Sequence, residues 1–219
     1  MRGVFVTGTD TGVGKTVVSA VLVSALRRST TVGYWKPVQT GIEEDDDTAE
    51  VRRLAGCSAA EIAERGIRLP RPLSPHLAAR LAGQTIAMRD LTDIAGDLPP
   101  GRFWVVEGAG GLLVPLNDEA MMADLIRSLA LPTVIAARSS LGTINHTLLT
   151  VTALRRMSIE IAGVVMVGDP NHENRLAIEG YGDVRVLAEI PILRPLSEES
   201  IAAVSAAAAP ALASLPAGL

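Results

Sequence analysis

The sequence predicts an α/β fold in which a mostly parallel sheet is flanked by helices on both faces. Three observations carry this expectation. Short β-branched runs alternate with longer helical patterns, the rhythm of successive β-α-β units. Each run is apolar at consecutive positions rather than alternating, as suits a strand covered on both sides. No repeat period, Gly/Ser-rich linker or composition break divides residues 1–219, so one domain is expected.

In chain order, strands are expected at Val4–Thr7, Val32–Trp35, Phe103–Glu107, Thr133–Ala137, Ile161–Val167 and Val186–Ile190. Helices are expected at about Thr16–Arg28, Asp47–Ala55, Pro75–Ala82, Asp90–Asp97, Ala120–Leu129 and Thr143–Met157. The stretch Gly41–Pro100 shows no convincing strand and reads as an insertion on the substrate side. From Ile201 to Leu219 no residue is charged, a length that nominates a tail anchor. Its Ala-rich composition, broken by Ser205, Pro210, Ser214 and Pro216 and lacking a basic flank, argues against that. A helix from about Ser197, ending near Pro210 and followed by a loose tail, is expected instead.

Composition excludes several function classes. Apolar residues make up 48% of the 219, and charged residues 20%, which supplies a core and argues against global disorder. Twenty Lys and Arg against 24 Asp and Glu leave −4, unsuited to coating nucleic acid, and 3% aromatics offer few stacking platforms. The single cysteine, Cys57, makes neither an intramolecular disulfide nor a multi-cysteine zinc site. No secretory signal is visible at the N-terminus. The expectation is a cytoplasmic protein whose partners include neither nucleic acid nor membrane.

The sharpest motif is Gly8-Thr9-Asp10-Thr11-Gly12-Val13-Gly14-Lys15-Thr16, between the first strand and a helix that begins with Val17. A strand feeding a Gly-rich turn into a helix N-terminus is the setting of a phosphate loop. Gly12 and Gly14 let successive N–H groups converge on phosphate oxygens, and the helix dipole adds positive charge there. Lys15 reaches the β- and γ-phosphates, and the Thr16 hydroxyl ligates Mg²⁺. The loop is a variant, with Thr9 where the usual spacing has glycine.

Such a loop needs a carboxylate for the metal. Glu107 stands at the tip of an apolar strand, where an unpaired buried carboxylate is costly, and Gly108-Ala109-Gly110-Gly111 follow with backbone N–H groups free to approach a ligand. Lys36 ends the second strand and faces either solvent or the phosphate loop. An acidic run, Glu43 to Asp47, comes next. Asp47 has two readings: a helix cap with Glu50 three residues on, or a further metal ligand. His76, His146 and His172 lie far apart, and neither they nor Cys57 receive a catalytic role.

Together GTDTGVGKT, WKPVQTG, LSPH, VVEGAGGLLVPL, LGTINHT and AEIP, in this order over Val4 to Pro191, resemble the ATP-dependent dethiobiotin synthetase family. The resemblance implies an α/β fold of the phosphate-loop NTPase type. It also implies a homodimer that closes a cyclic urea from 7,8-diaminononanoate, CO₂ (or bicarbonate) and ATP, releasing ADP and phosphate in biotin biosynthesis. It makes Lys15, Lys36 and Thr11 the catalytic group, and Thr16, Asp47 and Glu107 the Mg²⁺ ligands. It puts nucleotide on Gly12, Val13, Gly14, Lys15, Thr16, Val17, Gly168, Asp169 and Pro191. It puts substrate on Thr40, on Gly108 to Gly111 (including Ala109 and Gly110), and on Leu141, Gly142, Thr143, Ile144 and Asn145 of the opposite subunit.

Family members that read adenine carry an asparagine where this chain has Gly168, so another nucleoside triphosphate is expected to substitute for ATP. A partitioning-type ATPase switch is the rival, but it carries an early loop lysine where this chain has Asp10. An amidoligase needs a glutamine-hydrolysing domain, for which the chain has no room.

Overall fold

The computed structural model describes residues 1–213 and 215. In chain order the elements are β1 (Gly3–Gly8), α1 (Lys15–Leu26), β2 (Val32–Trp35), β3 (Val38–Thr40), α2 (Asp47–Leu54), β4 (Ile62–Ala63), β5 (Ile67–Leu69), α3 (Pro75–Leu81) and α4 (Met88–Gly96). They continue with β6 (Phe103–Gly111), α5 (Met122–Leu129), β7 (Thr133–Arg138), α6 (Thr143–Arg156), β8 (Ile161–Val167), α7 (His172–Gly182), β9 (Val186–Ile190) and α8 (Glu198–Leu212).

Seven strands form one parallel sheet in the order β4-β2-β6-β1-β7-β8-β9, while β3 and β5 make a separate parallel pair. Period-two alternation splits each central strand between two apolar layers. Val4, Val6, Tyr34 and Val105 join the layer of α1, α2 and α8, with Leu22, Leu54 and Ile201. Phe5, Trp35, Trp104 and Val106 join the opposite layer, with Leu91, Leu125 and Leu154. Both faces are therefore covered, which is why the strands read as unbroken apolar runs.

Every expected strand and helix is present, with ends displaced by a few residues. Gly41–Pro100 departs from expectation, since it contains the edge strand β4 and the short strand β5. At two and three residues these are too short for any periodicity to register. Helix α7 was also not anticipated. It buries Ile178 and Gly182 and otherwise shows polar or half-exposed residues, so its apolar stripe is thin. Helix α8 does not stop at Pro210 but carries it within its last turn. The tail expected beyond it falls mostly on residue 214 and residues 216–219, outside the described residues. Among the described residues no helix is long and apolar enough to cross a membrane.

Candidate active site at the carboxyl edge of the sheet

Parallel strands deliver their ends to one edge, and there the loops after β1 and β2 meet the last residues of β6. In the first loop Gly12 and Gly14 take left-handed φ values of +71° and +93°, and Gly14 caps α1. Thr9 is accommodated differently, because its N–H still pairs with the Ala136 carbonyl at 3.0 Å, prolonging the β1–β7 ladder. Asp10 is fixed: its carboxylate accepts from the Thr11 N–H and from Arg138 Nη2, each at 2.7 Å.

The Lys15 ammonium folds back to the Asp10 carbonyl at 3.3 Å. Burial, and then the positive charge of Lys36, hold its pKa below the ordinary lysine value. One residue on, the Thr16 hydroxyl donates to Asp47 Oδ1 at 2.7 Å and stands 3.3 Å from Glu107 Oε1.

Asp47 is available for this because its neighbour caps α2. Asp46 accepts from the N–H groups of Thr48 and Ala49 at 2.9 and 3.1 Å, so Asp47 is the first helical residue and not the cap. Glu50 does not close a capping box either; it pairs with Arg53. Arg68 of β5 braces this helix start, donating to Gln39 Oε1 at 2.8 Å and to Thr48 Oγ1 at 3.0 Å. Gln39 in turn donates to the Asp45 carbonyl and to Asp46.

Glu107 lies inside β6 rather than at its tip, because the strand continues to Gly111. Its side chain is 0% exposed, and Lys36 beside it is 2% exposed, so Lys36 is not a solvated strand-end lysine. The Lys36 ammonium sits 2.7 Å from Glu107 Oε1, 2.5 Å from Asp47 Oδ2 and 3.2 Å from the Gly108 carbonyl. Burial alone would lower the Lys36 pKa, but the charges of Glu107 and Asp47 outweigh it and raise the value. For Asp47 burial pushes upward, and Lys36 more than offsets it, leaving the carboxyl below its usual range. Removing one member of such a buried set strands the others, a cost of about 3–5 kcal/mol. Tyr34 also donates to Glu107, reaching Oε2 at 3.0 Å. Burial, and next the Glu107 charge, hold the phenol well above its ordinary pKa, so it stays a donor.

A cavity of about 900 Å³ opens onto this cluster. Thr11, Gly12, Gly14, Lys15, Thr16, Val17, Lys36, Thr40, Asp47, Glu107, Ala109 and Gly110 all line it. Val13 does not, being buried behind the loop. Gly108 and Gly111 stay on the strand behind, Gly111 in register with Gly8.

Gly168, Asp169 and Pro191, after β8 and β9, lie outside the cavity lining. So do Leu141 to Asn145, where Gly142 at φ +93° caps α6 and Leu141 is 98% exposed. The sequence reading missed Tyr34, Gln39 and Arg68, and the cavity wall of Pro72 to Pro75, Val114 and Leu196. Leu73, Ser74 and Pro75 had a signal in the LSPH block, Gln39 in WKPVQTG and Val114 in VVEGAGGLLVPL; Tyr34, Arg68, Pro72 and Leu196 had none. Among the described residues no group of three or more His, Cys, Asp or Glu could hold a metal.

A family model described as an AAA domain matches residues 2–200. The ATP-dependent dethiobiotin synthetase BioD of Paramagnetospirillum magneticum is 52% identical over 202 residues, covering 92% of this chain and 94% of that protein. That of Brucella ovis is 46% identical over 196 residues, covering 90% and 89%. Among solved structures, the Pyrococcus furiosus cell division ATPase MinD superposes with a TM-score of 0.62 at 18% identity, over 97% of this chain and 99% of that one. A ParA family ATPase from Chlorobium tepidum gives 0.61 at 13%, over 97% and 98%. These two likenesses speak for the fold alone. The identity and coverage of the curated relatives speak for more: the chain belongs to the ATP-dependent dethiobiotin synthetase family, and is an ATP-dependent ligase of the cyclo-ligase kind on a phosphate-loop α/β fold.

Proposed function

We propose that this chain, as a single domain in a cytoplasmic homodimer, converts 7,8-diaminononanoate, CO₂ and ATP into dethiobiotin, ADP and phosphate. The observation that carries the reading is the convergence of Lys15, Thr16, Lys36, Asp47 and Glu107 on one cavity at the sheet's carboxyl edge. The phosphate loop holds the triphosphate through backbone N–H groups and Lys15. Thr40 and Thr11 face the diamine from the two loops, with Ala109 and Gly110 beneath.

One amine adds to CO₂ and loses a proton, giving a carbamate. A carbamate oxygen attacks the γ-phosphorus and ADP leaves. The second amine then attacks the carbonyl carbon of the mixed anhydride, phosphate departs, a proton is lost and the ring closes. No side-chain nucleophile is required; the two lysines position the reacting groups and neutralise charge on the transferred phosphoryl group. Because CO₂ adds to a neutral amine, turnover rises from neutral to mildly alkaline pH.

The donor set fits Mg²⁺. Thr16 Oγ1, Asp47 and Glu107 bring hard oxygens together and would hold the ion. When bound, magnesium supplies charge neutralisation at the phosphates.

Lys15→Ala tests the reading. A folded Lys15→Ala protein is expected to lose turnover by roughly a thousandfold, the size of a major electrostatic contribution. Near-wild-type dethiobiotin formation would remove the assignment. In the wild type, ATP hydrolysis should stay low until diamine and bicarbonate are both present, whereas a switch ATPase turns over without them.

A further inference from the structure

Tyr34 belongs to no motif of the nucleotide site, yet its hydroxyl ends on the most deeply buried carboxylate of the cluster. The sheet register explains how. Tyr34 pairs with Val105 across the β2–β6 ladder, and Glu107 lies two residues beyond Val105 on the same face. Two residues of strand span about 6.6 Å, close to the reach of a tyrosine from Cα to its oxygen when the ring leans along the strand. Trp35, next in sequence, points into the opposite layer and cannot serve. The ring packs in the apolar layer with Val4, Val6 and Val105, a role phenylalanine would fill equally well. The hydroxyl is what distinguishes tyrosine here, and a fully buried hydroxyl needs a partner.

Glu107 has its two oxygens divided. Oε2 takes the phenol at 3.0 Å, while Oε1 takes Lys36 at 2.7 Å and stands 3.3 Å from the Thr16 hydroxyl. A carboxylate with no outer partner could rotate about its last bond and present either oxygen, or both, to the lysine. We propose that Tyr34 is a positioning residue: its phenol pins Glu107 Oε2 so that Oε1 alone faces Lys36, the Thr16 hydroxyl and the metal. This rests on the reading of Thr16, Asp47 and Glu107 as magnesium ligands. Outer partners of metal ligands orient them in the same way, and their loss weakens metal binding by about 10–100-fold.

Tyr34→Phe keeps the ring and deletes the hydroxyl. Calorimetry of ADP with and without Mg²⁺ is the readout independent of turnover. ADP affinity without metal should stay as in the wild type, because the phosphate loop is untouched, while the affinity gained on adding Mg²⁺ should fall about tenfold. In turnover assays the Mg²⁺ concentration for half-maximal rate should rise by a similar factor, and kcat at saturating Mg²⁺ should fall less. A role in packing alone, which phenylalanine keeps, would leave the magnesium titration in place and overturn the proposal.

Glu107→Gln is measured in parallel. If it weakens the magnesium effect and Tyr34→Phe does not, the positioning role is wrong and the metal reading stands. If neither does, the metal reading is wrong and takes this inference with it. The chain has two tyrosines, the second being Tyr181, which is 83% exposed. Wild-type protein labelled with 3-fluorotyrosine therefore gives two fluorine resonances, assigned with Tyr181→Phe, and needs no change at position 34. The Tyr34 resonance should move with Mg²⁺ and ADP together more than with ADP alone, and an unmoved resonance would overturn the proposal.

Discussion

Two adjacent aspartates in an acidic run do different work, and only the structure tells them apart. Asp46 satisfies orphan N–H groups of α2, while Asp47 turns inward to Thr16 and Lys36. Asp46→Ala is expected to lower unfolding free energy by about 1 kcal/mol, the usual worth of a cap. Asp47→Asn is expected to raise the magnesium requirement and also to lower stability, because Lys36 loses one of its two carboxylates, and an unchanged magnesium titration would return Asp47 to a purely structural role. Its folded-state pKa lies below the unfolded value of 3.8, so its contribution is present above about pH 4 and fades as pH falls through the lower, folded value. In metal-free buffer the acid limb of a urea stability profile should therefore be shallower for Asp47→Asn.

Gly168 poses a second question at this scale. Its φ is +131°, and a Cβ there would lie 2.4 Å from Ser139 Oγ, so the backbone favours glycine at the position where the resemblance implies an adenine-reading amide. CTP or GTP should then support turnover within about tenfold of ATP, a gap near 1.4 kcal/mol. A several-hundredfold preference in kcat/KM for ATP would show that another residue reads the base.

At the scale of elements, what was legible followed from length and contrast. The phosphate loop and its flanking strand and helix were plain because glycine, lysine and apolar runs stand at fixed offsets. Strands β6 to β9 were plain because both faces are buried. The β3–β5 pair was not, since its strands are three residues each and its significance lies in a contact between residues 29 apart, Gln39 and Arg68. Nor could spacing place Lys36; its burial between two carboxylates depends on β2 and β6 being neighbours.

The small pair nevertheless steadies the start of α2, through which Asp47 is held. Arg68→Ala leaves Gln39 and Thr48 without that donor and is expected to destabilise the protein by about 1–3 kcal/mol. It should also raise the magnesium half-saturation, although Arg68 does not line the cavity. A stability loss with no change in the magnesium titration would confine Arg68 to the fold.

At the scale of the whole molecule, the residues assigned to the substrate's far end, Leu141 to Asn145, stand at an exposed helix start away from the protomer's own cavity. If a partner subunit supplies them, two inactive variants should complement one another. Lys15→Ala mixed with Gly142→Val, whose side chain is strained at φ +93°, should recover about a quarter of wild-type activity after subunit exchange, since half the dimers are hybrids with one intact site. No recovery would place the whole site within one subunit.

The strand order also has a consequence in time. β1 is the central strand, yet its neighbours β6 and β7 begin at Phe103 and Thr133. Helix α1, which follows the phosphate loop, is covered by the last helix, and Ser205 donates to the Val21 carbonyl at 3.2 Å. During synthesis, at about 5–20 residues per second, the loop sequence leaves the ribosome early, but the strands that flank β1 emerge only when half or more of the chain has followed. Parallel pairings between such distant segments are slow to form. The final helix lends no side chain to the phosphate loop, but a chain cut short before it uncovers the face of α1 on which Ile201, Ser205 and Leu212 pack, and leaves the Val21 carbonyl without the Ser205 hydroxyl.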